Sequence, residues 1–182
     1  MTRARDLANL GDNTSVLENQ GLTLIKTESF SAVGSFSLAT DTFTSTYDNY
    51  LLIVDHIGSG TADLQFRLRA AGSDNSTGNY QLQYLGAEST TSYPYRSTNQ
   101  TFTQVGSTYS TGRSIMRLNI YAPKLSQVTQ VEYTVAMKAA TTAPTIYMGS
   151  GGFSLTTAFD SCSIITASGT FSGTYYIYGY KK

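Results

Sequence analysis

The feature that most constrains this sequence is an alternation of apolar and polar residues at every second position. It begins at residue 22 and recurs to the end of the chain. In the segment ADLQFRLRA, Leu64, Phe66 and Leu68 face one side, and polar residues face the other. A period of two places successive side chains on opposite faces of a β-strand, one packed and one in water. The alternation therefore predicts a chain built from strands.

Roughly eight to ten such segments follow one another, and turn-forming residues separate them. No segment after residue 22 shows the 3.6-residue period of a helix. Short strands without helices predict an all-β fold, an antiparallel β-sandwich. We expect a jelly roll; an immunoglobulin-like sandwich is the alternative, although its Cys…Trp…Cys pattern is absent. The segments are 22–30, 49–57, 62–70, 79–86, 112–123, 129–140, 144–153, 159–168 and 173–182.

Three connections carry specific expectations. The residues GSG at 58–60 lie between two strand segments and predict a hairpin turn. The polar, aromatic segment 88–100 is interrupted by Pro94 and predicts an exposed loop or an edge strand. The segment SDNSTGN at 73–79 resembles a calcium loop in composition, but it lacks the ligand spacing and the bidentate glutamate of such loops. We expect an ordinary turn there.

The first 21 residues differ from the rest of the chain. The segment TRARDLANL fits about two turns of helix, with Leu7 and Leu10 three residues apart and Gly11 as its stop. An isolated helix this short is marginal in water and needs a partner surface. We predict an attachment arm, extended or short helical, over residues 1–21 and a β-sandwich domain over residues 22–182. A frayed terminus is the alternative.

The charge of the chain bounds its partners. Only 13% of the residues are charged, and the formal net charge is zero. Nucleic-acid binders normally carry a basic excess, so we expect no nucleic-acid partner. A neutral, weakly charged surface protects a monomer poorly against association, so we expect a homo-oligomer. No window approaches the roughly 20 apolar residues of a membrane helix, and the start lacks the apolar core of a secretion signal.

The sequence contains few candidate catalytic or metal-binding residues, and their positions do not predict a shared site. Asp55 and His56 are neighbours on one strand segment, so their side chains point to opposite faces. The single cysteine, Cys162, lies in a strand segment and is expected to be a small buried hydrophobe. No catalytic, dinucleotide-binding or metal-binding motif is present. We therefore expect no enzyme activity, no catalytic residues, no cofactor and no bound metal.

Aromatic residues give the strongest binding signal in the sequence. Tyrosine and arginine are enriched at protein interfaces, and aromatic rings also stack on sugars. One group surrounds the predicted loop at 88–100, and a second lies on the last strand segment, which carries tyrosines on both faces. We predict a receptor or glycan site or a subunit interface, with aromatic packing onto the core as the alternative for the loop group. The predicted residues are Tyr93, Tyr95, Arg96, Phe102, Tyr176 and Tyr178.

Several phrases of the sequence point to a family. The opening TRARDLANLGDN, the strand LIKTESF, the run FTSTYDNYLLIV and the closing GTFSGTYYIYGYKK resemble small virion structural proteins of tailed bacteriophages, especially marine and cyanobacterial ones. In that family a similar opening segment precedes a β-sandwich found in tail fibres, capsid knobs and decoration proteins. The resemblance covers most of the chain and is strongest at both ends.

The resemblance implies a non-enzymatic component of a virion, often a trimer, that is assembled in the host cytoplasm with other capsid or tail proteins. It also favours the attachment-arm interpretation of residues 1–21. Arg3 and Arg5 would form charge-assisted bonds to partner carboxylates. Leu7 and Leu10 would fill small pockets, and the arm would gain order on assembly.

Three functions follow from these observations as hypotheses. The first is a capsid decoration or short appendage protein anchored by its arm, because the chain lacks the long shaft of a full-length tail fibre. The second is a tail-fibre or tip protein that binds a host receptor or surface glycan. The third is a depolymerase, which needs two carboxylates about 5–10 Å apart. The sequence offers no obvious pair of this kind.

Overall fold

The computed structural model describes residues 21–138 and 144–182. The described residues form thirteen β-strands and no helix, which confirms the all-β prediction. Every strand pair in the two sheets is antiparallel. The strands are β1 (Leu22–Val33), β2 (Ser35–Ser37), β3 (Asn49–Gly58), β4 (Ala62–Ala70), β5 (Ser73–Asp74), β6 (Tyr80–Glu88), β7 (Thr91–Gln100), β8 (Thr103–Thr108), β9 (Ser114–Tyr121), β10 (Thr129–Lys138), β11 (Pro144–Phe153), β12 (Ser161–Thr166) and β13 (Phe171–Tyr180).

Two sheets of unequal size make up the fold. The large sheet has eight strands in the order β1-β13-β3-β9-β10-β11-β6-β7. The small sheet has the order β2-β12-β4, and β8 and β5 pair with successive stretches of the other edge of β4. Buried side chains from both sheets form one core cluster. The two sheets therefore pack face to face as a sandwich.

The strand order is that of a jelly roll. In the large sheet β1-β13-β3-β9 are neighbours, and in the small sheet β2-β12-β4-β8 are neighbours. Along the chain, these strands pass from one sheet to the other at almost every step, which is how two Greek keys fold into a jelly roll. The jelly-roll prediction is confirmed. The remaining strands β10, β11, β6 and β7 extend the large sheet beyond this unit.

One local prediction is wrong. The residues 58–60 join β3 to β4, but these two strands lie in different sheets and do not pair. The Gly58 amide instead donates to the Tyr109 carbonyl at 3.0 Å. A short connection forms a hairpin only when the two strands that it joins pair in one sheet. Here the connection carries the chain from the large sheet to the small sheet.

The core is formed by the residues that the alternation placed inward. Leu64, Phe66 and Leu68 of β4 are fully buried. They belong to one core cluster with the buried residues of the large sheet, and aromatic rings are among its largest members. Burial on this scale contributes most of the stability of a domain of this size. The largest fully buried side chains include Tyr50, Tyr80, Tyr175, Phe43, Phe153, Phe159, Phe171, Leu52 and Met116.

The two edges of the large sheet are β1 and β7. The segment 88–100 is therefore an edge strand, one of the two forms predicted for it, and Pro94 is tolerated there because an edge strand needs fewer ladder bonds. The Lys181 amide donates to the Gly21 carbonyl at 3.0 Å. The arm residues Arg3, Arg5, Leu7 and Leu10 lie outside the described residues, so the arm stays a prediction. In the part of the chain that the structure describes, no helix is long and apolar enough to cross a membrane.

Candidate functional site on the outer face of the large sheet

The face of the large sheet turned away from the small sheet, here called the outer face, carries two of the predicted interface regions. The pairing register links residues of all eight strands into cross-strand rows. One row runs from Arg96 on β7 to Tyr178 on β13, six strands away. At the usual strand spacing this separation is on the order of 30 Å. The row is Arg96, Gln83, Ser150, Glu132, Asn119, Leu51 and Tyr178.

A groove of about 340 Å³ lies at the β7 end of this row. Its volume is at the lower end of the range for small-molecule sites. We call it the polar groove, because side chains with amide, hydroxyl and guanidinium groups line most of it. Its lining residues are Gln81, Leu82, Gln83, Arg96, Ser97, Thr98, Val128, Gln130, Ser150, Gly151, Gly152, Phe153 and Ser154.

A glycine forms part of the floor of the polar groove. Gly152 lies between Gln130 on β10 and Gln81 on β6 in one cross-strand row. A Cβ at this position would collide with the Thr129 carbonyl oxygen and would lie 3.2 Å from the Gln130 Oε1 atom. Only glycine permits this close approach of neighbouring backbone. The Gln130 side chain therefore lies over the buried Gly152, and Gln81 stands on the other side of this glycine in the same row.

Four polar side chains of the groove have no partner among the described residues, whereas the Ser154 hydroxyl donates to the Asn79 carbonyl oxygen at 3.0 Å. Within residues 21–138 and 144–182, the side chains of Gln81, Gln83 and Gln130 form no hydrogen bond to protein, and Arg96 forms no salt bridge. All four side chains belong to exposed residues. A primary amide offers two donors and one acceptor, and a guanidinium offers donors in a planar fork. Arg96 is the only charged residue among those that line the groove.

One carboxylate lies close to the polar groove but is already engaged. Glu132 faces Ser150 across the β10–β11 ladder. The Tyr121 hydroxyl donates to the Glu132 Oε2 atom at 3.0 Å. Burial, followed by the hydrogen bond to Glu132, raises the pKa of Tyr121, so its hydroxyl keeps the proton that it donates. Glu132 is not among the residues that line the groove, so the Arg96 guanidinium is the only charged group in the groove lining.

Exposed apolar side chains lie next to the polar groove on the outer face. Met148 is 56% exposed, Leu85 is 55% exposed and Ile146 is 41% exposed. Leu85 pairs with Met148 and with Pro94, and Ile146 pairs with Ala136. We call these five residues the apolar patch. Contiguous exposed apolar side chains on a soluble domain mark a surface that another molecule covers.

The tyrosines of β7 do not join Arg96. Tyr93 and Tyr95 point to the inner face of the sheet, whereas Arg96 points to the outer face. The Tyr93 and Tyr147 hydroxyls are 2.8 Å apart, and the Tyr95 ring lies 5.2 Å from the Tyr84 ring. Burial raises the pKa of Tyr147, and the bond to Tyr93 raises it further. This aromatic cluster packs against the core and leaves only Tyr95 exposed.

The remaining predicted residues lie elsewhere. Phe102 is half-buried in the connection between β7 and β8. Tyr176 and Tyr178 are half-buried on the outer face of β13, opposite Thr27 and Leu24 of β1. The structure therefore places Arg96, Tyr176 and Tyr178 on one face but at opposite sides of the sheet. It does not bring the six predicted residues together.

The residues considered for catalysis remain separate. His56 is fully buried, and its Nδ1 atom is 3.4 Å from the Val54 carbonyl oxygen. Burial lowers the pKa of His56, so the ring stays neutral. Asp55 points to the outer face and accepts a hydrogen bond from Arg113 at 2.9 Å. The prediction that these neighbours point to opposite faces is confirmed.

Two further predictions concern single elements. Cys162 is fully buried in β12, as predicted, and burial raises the pKa of its thiol. The segment 73–79 forms the short strand β5 and then a turn, in which the Thr77 amide donates to the Asn75 Oδ1 atom at 3.0 Å. Among the described residues, no three histidine, cysteine, aspartate or glutamate side chains are close enough to hold a metal ion.

Sequence reasoning missed the glutamines of the polar groove. The alternation in NYQLQYLG and TQVEYT does place Gln81, Gln83 and Gln130 on the wet face of their strands. The missing information was that β11 lies between β6 and β10, which the chain order does not reveal. The sequence did contain one signal for the groove, namely three glutamines at outward positions of two strands.

Comparisons with known proteins add little. No protein-family model matches the chain, and no curated protein matches it. Among solved structures, the chain is similar to sucrose-6-phosphate hydrolase from Lactobacillus gasseri at 10% identity and a TM-score of 0.31. The match covers 82% of this chain and 28% of the hydrolase chain, so this chain spans less than a third of that protein. A TM-score this low supports no conclusion about fold or function.

Proposed function

We propose that the protein is a non-enzymatic structural component of a tailed-phage virion, displayed on the particle surface as a capsid decoration or short appendage. The observation that carries this proposal is the apolar patch on the outer face of a jelly-roll domain. Met148 and Leu85 are more than half exposed there, side by side. A subunit that remains in an assembly can carry such a surface because its neighbours cover it. The sequence resemblance at both ends of the chain supports the same function.

The chain would make two kinds of contact, one between its own copies and one with another virion protein. Copies of the chain cover the apolar patch in a homo-oligomer, with a trimer favoured. The arm at residues 1–21 attaches the oligomer to another capsid or tail protein through Arg3, Arg5, Leu7 and Leu10. The chain enters the large sheet at Leu22 on the edge strand β1, next to the C-terminal residues. An arm that precedes an edge strand can reach a partner without disturbing the sandwich.

The experiment replaces the gene in the source phage with versions that encode the full chain or residues 22–182. Mass spectrometry then measures the protein per purified particle. The full chain is expected in the particles, and the truncated chain is expected to fold but to be missing from them. A matched control, Leu7→Ala, Leu10→Ala, keeps the length of the arm and should lose most incorporation. Absence of the full chain from the particles would contradict the proposal, whereas incorporation of residues 22–182 would contradict only the role of the arm.

A second candidate function is the binding of a host receptor or surface glycan by a tail-fibre or tip protein. The polar groove favours it, because the unengaged side chains of Gln81, Gln83, Gln130 and Arg96 converge there. Purified protein should bind host cells saturably, and cells stripped of surface polysaccharide should bind less. Equal binding to intact and stripped cells would contradict glycan recognition.

A further inference from the structure

We propose that the polar groove binds an acidic saccharide, with Arg96 binding the sugar's anionic group and Gln81, Gln83 and Gln130 binding its hydroxyls. This inference rests on the second proposed function, glycan binding, and names its site and ligand class. The site differs from the aromatic cluster predicted from the sequence. It lies on the outer face of β6, β7, β10 and β11.

The arrangement of the amides is the first argument. Gln81 and Gln130 flank Gly152 in one cross-strand row, and Gln83 follows Gln81 on the same face of β6. A sugar presents hydroxyls that both donate and accept, and each amide can do the same in one plane. Because Gly152 has no side chain of its own, Gln81 and Gln130 are the only side chains in this part of the row, and a sugar in the groove can contact both amides. The groove volume of about 340 Å³ accommodates a ligand of this kind.

The rigidity of the site is the second argument. The three glutamines and Ser150 project from paired strands in the interior of the large sheet, not from loops. Paired strands fix the spacing of the backbone positions, so binding has to order only the side chains and not the backbone that carries them. Val128 is 37% exposed at one end of the groove and offers an apolar surface to the carbon face of a sugar ring.

The charge of the groove is the third argument, and it sets the ligand class. Arg96 is exposed on the edge strand opposite Gln83, and it is the only charged residue that lines the groove. The nearest carboxylate identified on this face, Glu132, accepts a hydrogen bond from Tyr121. A guanidinium binds carboxylates and sulfates through two parallel hydrogen bonds. The groove therefore matches a saccharide with one anionic group, either a uronate carboxylate or a sulfate ester.

The test measures binding of the full chain to a panel of oligosaccharides by titration calorimetry. The panel contains uronate oligomers (galacturonate, glucuronate, mannuronate and guluronate), sulfated galactans, and the neutral galactose and glucose oligomers. We expect at least one acidic oligomer to bind saturably, and the comparison of uronates with sulfates identifies the anionic group. Signals of the Gln81, Gln83 and Gln130 side-chain amides should shift in NMR spectra when it binds.

The variants separate the groove from the rest of the outer face. Arg96→Gln should lower the affinity for the acidic oligosaccharide by about tenfold or more, because a charge-assisted hydrogen bond is lost. The double variant Gln81→Ala, Gln83→Ala should also lower this affinity. Arg117→Gln removes the same charge from the same face but outside the groove, and should bind as the unaltered chain does. Melting temperatures establish that each variant is folded.

The outcomes distinguish the proposed acidic-saccharide site in the polar groove from the broader proposal that the protein binds a glycan. If an oligosaccharide binds but the groove variants bind it equally well, the glycan function stands and this inference is wrong. If neutral oligomers bind as tightly as acidic ones, the role of Arg96 is wrong. If neither the panel nor polysaccharide extracted from the host binds, both the inference and the second proposed function are wrong.

Discussion

Gln83 and Arg96 face each other across the β6–β7 ladder, and Ser150 lies on the other side of Gln83 in the same row. This relationship explains the chemical character of the polar groove on the outer face of the large sheet. The edge strand supplies the charge, and the next two strands supply amide and hydroxyl groups. The same strands carry Leu85, Pro94 and Met148 in the next row of the outer face, so the polar groove and the apolar patch lie next to each other.

The burial of β4 predicts a large difference between two identical substitutions. Leu68 is fully buried, whereas Leu85 is 55% exposed. Leu68→Ala should lower the free energy of unfolding by about 2–5 kcal/mol, because it removes buried methyl groups and leaves a cavity. In the monomeric Met148→Glu variant, where no neighbouring subunit covers Leu85, Leu85→Ala should change the free energy of unfolding by less than about 0.5 kcal/mol. Urea denaturation measures both values, and equal losses would contradict the assigned faces of these strands.

The aromatic cluster on the inner face predicts that Gly149 does not tolerate a side chain. A Cβ at Gly149 would lie 2.5 Å from the ring of the buried Tyr133 and 2.7 Å from the Tyr84 Cβ atom. Gly149→Ala should therefore lower the free energy of unfolding by about 1–3 kcal/mol, because the added methyl group overpacks the core. Gly60→Ala is the control, since nothing lies within 4 Å of its Cβ position. Thermal melts compare the two, and a Gly149→Ala variant as stable as Gly60→Ala would contradict the packing.

His56 predicts a loss of stability in mild acid. Burial lowers the pKa of this histidine from 6.5. Below pH 6.5 the unfolded chain therefore binds a proton that the folded chain does not, so the free energy of unfolding falls with pH until the folded pKa is reached. The slope cannot exceed about 1.4 kcal/mol per pH unit for one group. Asp55 and Arg113, the charged groups nearest His56, lie on the other face and pair with each other.

Urea denaturation at pH 7.5, 6.5 and 5.5 measures the effect of His56. The His56→Leu variant keeps an apolar side chain of similar size and cannot titrate, so its stability should change less over this range. A variant with the same slope as the unaltered chain would assign the acid sensitivity to other groups.

The apolar patch predicts an oligomer that one charge can dissociate. The unaltered chain should have about three times its 19.7 kDa mass in light scattering. Met148→Glu places a charge among Leu85, Pro94 and Ile146, and should shift the mass to that of the monomer because a buried, unpaired charge is costly. Leu155→Glu is the control, since Leu155 is 50% exposed outside the patch. A monomeric unaltered chain, or dissociation by Leu155→Glu alone, would contradict this role of the patch.

Strand positions and facing were predictable from the sequence because they depend on local alternation. The inward residues of β4 and the separation of Asp55 from His56 follow from the period of two alone. The pairing of strands was not predictable from neighbouring segments. The residues 58–60 look like a hairpin, but the chain crosses to the other sheet there, which only the global packing of the sandwich determines.

The candidate site was less predictable than the fold for the same reason. The alternation places Arg96 and Tyr95 on opposite faces of β7, but Pro94 made the segment resemble a loop, for which the alternation carries no information. The groove depends on β11 lying between β6 and β10, a long-range pairing. Amides are also a weaker signal than aromatic residues, since most outward glutamines only contact water.

The proposed virion location is tested most directly by immunogold electron microscopy of intact virions from the phage that is proposed to encode this chain. Antibodies raised against the purified chain are applied to unbroken particles, with particles that lack the gene as the control. The account predicts gold at regular positions on the head surface or on the tail. The presence of the protein in infected cells, with no label on intact particles and none of the protein in disrupted ones, would contradict it.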